Sequence, residues 1–245
     1  MSVLVFGGSG FVGCKVMERL AELKIPASSV TREGKKPRHL ENEAWADNVQ
    51  WLKGNASKPD PLLFEHCTAV VTLVGSPPVP TFSQKAYDRQ VFANGKTNAA
   101  VIESTAKAGI KTLILQSADI PVTLRRKSFG YYVGKQMAYE AAQTFVRQAP
   151  SRRVSVLRPS GIYGTRHSKN GRAIPLSPLL YPIHLVLNAM PDGLKNYLPS
   201  APVSVEQIAG VIVSEALKPD PEYTGLREWT NQEIIDWSSD RIIDQ

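Results

Sequence analysis

Val5-Phe6-Gly7-Gly8-Ser9-Gly10-Phe11-Val12-Gly13 stands close to the start of the chain, at the end of the apolar run 2–6. Gly7, Gly10 and Gly13 give G-x-x-G-x-x-G between a predicted buried strand and a predicted helix over residues 11–23. Gly7 permits a tight turn, Gly10 lets backbone approach a pyrophosphate, and Gly13 lets helix and strand pack closely. The helix N-terminus then offers free N–H groups and the positive end of its dipole to phosphate oxygens. Three glycines alone carry little weight; their place after a strand and before a helix is what the motif requires. Gly7, Gly8, Ser9, Gly10, Phe11, Val12 and Gly13 are therefore candidates for binding a dinucleotide.

The pattern continues outward from this loop. Residues 49–52 and 69–74 read as strands, the second a continuous apolar run. Residues 87–108 read as one long helix ending at Gly109, a C-cap glycine. A strand over 112–115, a helix over 131–148 and a strand over 154–157 follow, the last stopped by Arg158-Pro159. Strands alternating with helices imply right-handed βαβ crossovers. The expected fold is α/β, a Rossmann doubly wound parallel sheet over residues 1–160. Residues 161–245 form a small C-terminal α/β appendage completing the same domain. Prolines at 175, 178, 182 and 191 break the rhythm there. Ser204 with Gln207 and Thr230 with Glu233 are capping-box pairs that open a helix to about residue 217 and a last short helix.

The chain has 245 residues, 42% hydrophobic and 21% charged, enough to bury a sizeable core. Two cysteines, Cys14 and Cys67, make no disulfide framework and suggest a reducing compartment. Cys14, at a helix start, reads as a buried structural thiol. No secretory leader precedes the first strand, while removal of a transit peptide stays open. The formal charge of +7 is unevenly spread: residues 120–190 hold eleven Lys/Arg and one acid, Glu140. From residue 191 onward four basic residues face ten acidic ones. The asymmetry points either to an anionic partner near the middle of the chain or to a solvated basic surface with residues that hold cofactor phosphates.

The second strand should end near Val30, followed by Thr31-Arg32-Glu33-Gly34-Lys35-Lys36. An acid at this strand end bonds a ribose 2′-hydroxyl, whereas an arginine suits a 2′-phosphate. Arg32, with Lys35 or Lys36, favours NADP(H) over NAD(H); Glu33 is the competing reading.

Tyr131-x-x-x-Lys135 places two residues on one helix face. Lys135 there would lower the pKa of the Tyr131 hydroxyl, a general acid/base for a carbonyl or alcohol. The alternative is that both residues only cradle the cofactor. With Arg158-Pro159-x-x-x-Tyr163-Gly164 after the sixth strand, the chain resembles the short-chain dehydrogenase/reductase superfamily in its extended or atypical branch. The resemblance implies a substrate-orienting serine at Ser117, and cofactor contacts from Val74, Gly75, Tyr131, Lys135 and Pro159. Asn55 stands where the family often has an aspartate near the adenine.

A narrower resemblance rests on the glycine loop, Val-Thr-Arg-Glu-Gly-Lys (30–35), Val-Leu-Arg-Pro-Ser (156–160) and Ala-Pro-Val-Ser-Val-Glu-Gln-Ile-Ala (201–209). These are similar to the NADPH-binding accessory subunit of mitochondrial respiratory complex I and to the dehydrogenase-like protein associated with coenzyme Q (ubiquinone) biosynthesis in fungi. The resemblance implies an accessory, cofactor-bound component of a mitochondrial inner-membrane assembly, peripheral on the matrix side. Plastid relatives of similar layout keep a plastid placement open, and a cytoplasmic one is the further alternative. The other class of function is an active NADPH-dependent reductase of a small or isoprenoid carbonyl.

Residues 173–190 (AIPLSPLLYPIHLVLNAM) are strongly apolar and follow the basic stretch 166–172. Prolines and His184 argue against a spanning helix. Two readings stand: a lid over a substrate pocket, or a segment that docks on an anionic lipid surface or on subunits of a membrane complex, together with the basic region 120–172. His167 and His184 read as packing or surface residues, with no metal-site spacing. The basic stretch lacks the aromatic interleaving of a nucleic-acid module.

Overall fold

The computed structural model describes residues 2–168, 170–190, 200–218 and 223–237. In chain order the cofactor half runs β1 (Val3–Phe6), α1 (Phe11–Glu22), β2 (Ala27–Thr31), β3 (Gln50–Lys53), β4 (Ala69–Thr72), α2 (Gln84–Val91), a π-helical turn (Phe92–Lys96), α3 (Thr97–Lys107), β5 (Thr112–Gln116), α4 (Gly130–Arg147) and β6 (Arg153–Leu157). Then come β7 (Ile162–Tyr163), β8 (Thr165–His167), β9 (Ala173–Pro175), α5 (Ser177–Ala189), β10 (Val203–Ser204), α6 (Val205–Leu217), β11 (Gly225–Trp229) and α7 (Asn231–Ile235). Short 3-10 turns fill several of the connections.

Seven parallel strands form one sheet in the order β11-β6-β5-β4-β1-β2-β3. The expected α/β Rossmann architecture is therefore present. Central strands such as VLVF and AVVT are buried along their whole length, as a parallel sheet covered on both faces demands. Alternate residues of β1 serve opposite cores. Val3 and Val5 pack with Val16 and Leu20 of α1 and Ile208 and Ile212 of α6. Leu4 and Phe6 pack with Ile102 of α3 and Phe145 of α4. The strand order reverses between β1 and β4, so a crevice opens there at the carboxyl ends of the strands.

Three elements depart from the sequence reading. The helix expected over 87–108 begins at Gln84, where the Ser83 hydroxyl caps the Ala86 N–H, and a π turn at 92–96 interrupts it. Asn94 Nδ2 donates to the Gln90 carbonyl, and Thr97 Oγ1 to that of Phe92, so side chains occupy carbonyls the wider turn exposes. The segment 177–189 is a helix although it holds three apolar turns and Pro182; Pro178 falls in its first turn, where no N–H is needed. β11 extends the sheet beside β6, yet its sequence GLREW shows no apolar run, because Arg227 and Glu228 are satisfied by ion pairs. β8 and β9 form an antiparallel hairpin, and β7 pairs β10. No helix among the described residues is long and apolar enough to cross a membrane.

Candidate functional site

Gly7 turns the chain at φ +89°, a conformation that favours glycine. Gly10 caps α1 with no side chain over the helix end, and no acid lies in the first turn, so the leading N–H groups are free for an anion. A Cβ on Gly13 would sit 2.2 Å from the Gly7 carbonyl oxygen and 2.6 Å from Gly8 Cα. That close approach holds the loop against the helix.

Above this loop lies a cleft of about 420 Å³. Gly7, Ser9 and Gly10 form its floor, Thr31 and Arg32 stand at the end of β2, residues 54–57 at the end of β3, and Leu73, Val74 and Gly75 at the end of β4. Phe92, Ala93 and Thr97 close the far side. A strand-end arginine, a bare helix N-terminus and a long groove between them suit a dinucleotide.

Of the other residues expected at the cofactor, most place their side chains away from the cleft. A Cβ on Gly8 would meet Ser29 Oγ at 2.4 Å, so Gly8 serves the packing of loop on β2. Val12 is buried in the core, and Phe11 turns toward Gly164. Lys35 is exposed and does not line the cleft, while Lys36 is bound to Asp47 at 2.7 Å and to the Glu41 carbonyl at 3.1 Å. Arg32 is thus the basic residue of this loop that lines the groove. Pro159 is buried, and its carbonyl accepts from the Asp119 N–H at 2.8 Å, tying the ends of two strands together. Asn55 lines the cleft, with Oδ1 accepting from the N–H and hydroxyl of Ser57 at 3.0 and 2.8 Å.

Lys135 is buried in α4, and its Nζ donates to the Gln116 carbonyl at 2.8 Å. Burial pulls its pKa down to about 8. A Cβ on Gly75 would lie 3.9 Å from Nζ, which places the ammonium against the inner end of the dinucleotide cleft. One turn back, the Tyr131 ring lies 5.7 Å from Nζ, and burial pushes the phenol up to about 12, the reverse of the lowering by Lys135 expected from the spacing. Ser117 is buried at the end of β5, its N–H bonded to the Leu157 carbonyl at 2.7 Å. Tyr131 lines a second cleft of about 670 Å³, walled by Ile120, Pro121, Val122, Leu124 and Phe129 on one side and Ser160, Gly161 and Ser200 on the other. Tyr131 thus lines the second cleft, while Lys135, one turn on, lies behind Gly75 of the first.

Sequence reasoning missed Asn94 and Asn98. Both are buried; Asn98 bonds Thr72 and donates to the carbonyls of Val74 and Asn94 at 2.9 Å, while Asn94 Oδ1 accepts from the Ser76 N–H at 3.1 Å. Together they fix the loop after β4 that carries Val74 and Gly75. Two asparagines four apart on one helix face were the available signal. Cys14, beside a smaller recess of about 280 Å³, has its thiol pushed up to about 12 by burial, in keeping with a structural thiol.

The model of the NAD dependent epimerase/dehydratase family matches residues 3–178. An uncharacterized chloroplastic protein of Arabidopsis thaliana is 28% identical over 235 residues, covering 91% of this chain and 73% of that protein. MIOREX complex component 2 of Saccharomyces cerevisiae is 34% identical over 77 residues, covering 30% of this chain and 28% of that protein. Among solved structures, MoeE5 in complex with UDP-glucuronic acid and NAD superposes with a TM-score of 0.67 at 18% identity, covering 94% of this chain and 76% of that one.

Proposed function

This chain belongs to the NAD dependent epimerase/dehydratase family, and from that premise we propose that it holds NADP(H) in the first cleft and reduces an apolar carbonyl compound in the second. One observation carries this reading: Tyr131 lines the second cleft, and Lys135, one turn further along α4, lies behind Gly75 of the first. The glycine loop and α1 N-terminus would hold the diphosphate, Arg32 the 2′-phosphate, and Lys135 the nicotinamide ribose. NADPH, when bound, supplies a hydride to the carbonyl carbon. The Tyr131 phenol, kept protonated by burial, donates its proton to the carbonyl oxygen; Ser117, expected to orient that oxygen, is buried and lines neither cleft. The cleft sets an apolar wall of Ile120, Val122, Leu124 and Phe129 beside the polar Asp119, Thr123, Arg125, Ser160 and Ser200, so it suits a compound with a substantial apolar portion carrying a polar group.

The test is NADPH oxidation with aldehydes, ketones and quinones of increasing chain length. Tyr131→Phe is expected to lower kcat by roughly a hundredfold or more while leaving the NADPH dissociation constant within about twofold. No oxidation with any acceptor by protein that binds NADPH stoichiometrically would remove the catalytic reading.

The similarity to a component of a yeast complex favours a second reading: a cofactor-bound accessory protein of a mitochondrial inner-membrane assembly, such as respiratory complex I or the coenzyme Q machinery. The similarity to a chloroplastic protein supports an organellar setting in the plastid as the alternative. Recovery of NADPH with the native assembly, unchanged in assembly yield by Tyr131→Phe, is the outcome that reading requires.

A further inference from the structure

We infer that the mouth of the second cleft is a docking surface for an anionic lipid bilayer, a conclusion independent of whether the chain turns over a substrate. It begins with α5. Leu180, His184 and Leu187, spaced i, i+4, i+7, are the residues that face inward. His184 Nδ1 bonds the Pro202 carbonyl at 2.6 Å, and its ring packs on Tyr163. The outward stripe, which carries Leu179, Ile183, Leu185 and Val186, is exposed, Leu179 by 67% and Val186 by 58%. A lid would turn that stripe onto the protein; here it faces outward with no covering element among the described residues. The helix is 13 residues long, about 20 Å at 1.5 Å per residue, too short to span a bilayer and suited to lying in its interface.

Apolar side chains on the other wall add to this face. Val122 is 76% exposed and Leu124 46%, and both line the second cleft. Gly161, on the opposite wall, is where a Cβ would lie 4.0 Å from Leu180, so α5 stands directly behind that wall. Both sides of the mouth thus carry exposed apolar residues.

Charge selects the occupant. Arg125, Arg126 and Lys127 follow Leu124 and are exposed, as are Arg166 and Arg172 on the β8–β9 hairpin that leads into α5. No acidic residue occurs between Glu140 and Asp192. Asp119 shares the second cleft with Arg125, and Glu43 and Glu206 share a recess with His167, so the exposed cations outnumber rather than exclude acids here. An apolar stripe flanked by exposed cations complements an anionic lipid surface, where acyl chains receive the stripe and headgroups the cations. A soluble protein partner would need an acidic rim around an apolar groove, and a second copy of this chain would set its cations against themselves. An apolar compound dissolved in the bilayer would enter the second cleft directly from it.

The experiment is flotation of the full chain with neutral phosphatidylcholine vesicles and with vesicles holding about 20 mol% anionic lipid. Binding is expected to the anionic vesicles and to weaken as salt rises. Arg125→Glu with Arg126→Glu should reduce it by at least about twentyfold, taking about fivefold per basic side chain removed. Leu185→Glu with Val186→Glu should abolish it, with thermal melting and NADPH affinity unchanged, because both residues are exposed. Failure to float with anionic vesicles, equal binding to neutral ones, or full binding by the Leu185→Glu, Val186→Glu variant would each overturn the inference. So would a lipid-free dimer in sedimentation analysis that this double substitution dissociates, since the stripe would then be covered by a second copy.

Discussion

The Lys135 ammonium and the Gln116 carbonyl oxygen are 2.8 Å apart, joining the middle of α4 to the end of β5. This bond holds a buried cation at the inner end of the dinucleotide cleft, one residue before Ser117 and one helical turn beyond Tyr131.

Its ionisation should leave a mark on stability. Burial lowers the Lys135 pKa from 10.5 to about 8, so the folded state disfavours the charged form. Below pH 8 the penalty is fully present. Between pH 8 and 10 the unfolded chain binds more protons than the folded one, and stability rises with pH. The wild-type protein without nucleotide is expected to gain about 1–3 kcal/mol across that window relative to Lys135→Met, read from urea unfolding at each pH. Parallel curves for the two proteins would show that Lys135 titrates normally.

Arg32 lines the dinucleotide cleft while Lys35 does not and Lys36 is engaged by Asp47. Arg32→Ala should therefore weaken NADPH by about ten- to a hundredfold, the worth of a charge-assisted bond to phosphate, and NADH by less than about twofold. Isothermal titration with the two nucleotides decides it. Equal weakening would assign the 2′-phosphate to another group.

Gly13→Ala tests the loop itself. The added methyl would begin 2.2 Å from the Gly7 carbonyl oxygen, a backbone atom that moves only with the whole turn. Loss of about 2 kcal/mol or more in urea unfolding is expected. NADPH affinity should fall with it, since the displaced carbonyl belongs to the phosphate-binding turn. Gly109→Ala is the contrasting control: no atom crowds that position, and its positive φ alone accounts for a cost of about 1 kcal/mol.

What the sequence discloses depends on whether a residue's task is local. Gly7, Gly10 and Gly13 are legible because turn, helix start and close packing fall within seven residues. The strands of the central sheet are legible because burial on both faces makes them continuously apolar. β11 is hidden, since Arg227 and Glu228 are tolerated only through partners on other elements, Glu215 and Arg158. The π turn is hidden too: its Gly95 meets Gly134 of α4, where a Cβ would come within 2.9 Å, a contact between residues 39 positions apart in the chain. At the cleft, spacing alone picks out Tyr131 and Lys135. That a Cβ at Gly8 would meet Ser29 and that the Phe11 ring turns toward Gly164 are matters of three-dimensional packing, which a motif does not encode.

The C-terminal appendage is tied to the sheet through Glu215. Glu215 of α6 is buried, accepts from Ser155 of β6 and from the Tyr223 hydroxyl at 2.8 Å, and pairs with Lys218 at 3.1 Å. Arg227 of β11 stands 3.8 Å away. This cluster joins the appendage to the sheet through polar groups deep in the structure, where removal of one charge leaves its neighbours in low dielectric without their acceptor. Glu215→Ala should cost about 3–5 kcal/mol, and Glu215→Gln less, because the amide oxygen still accepts. Both variants should unfold in a single transition if residues 161–245 complete the same domain, and the folded protein should bind NADPH as the wild type does, since Glu215 does not line the dinucleotide cleft. Two separate transitions in urea, with the cofactor half outlasting the appendage, would show instead that the two regions fold as distinct units.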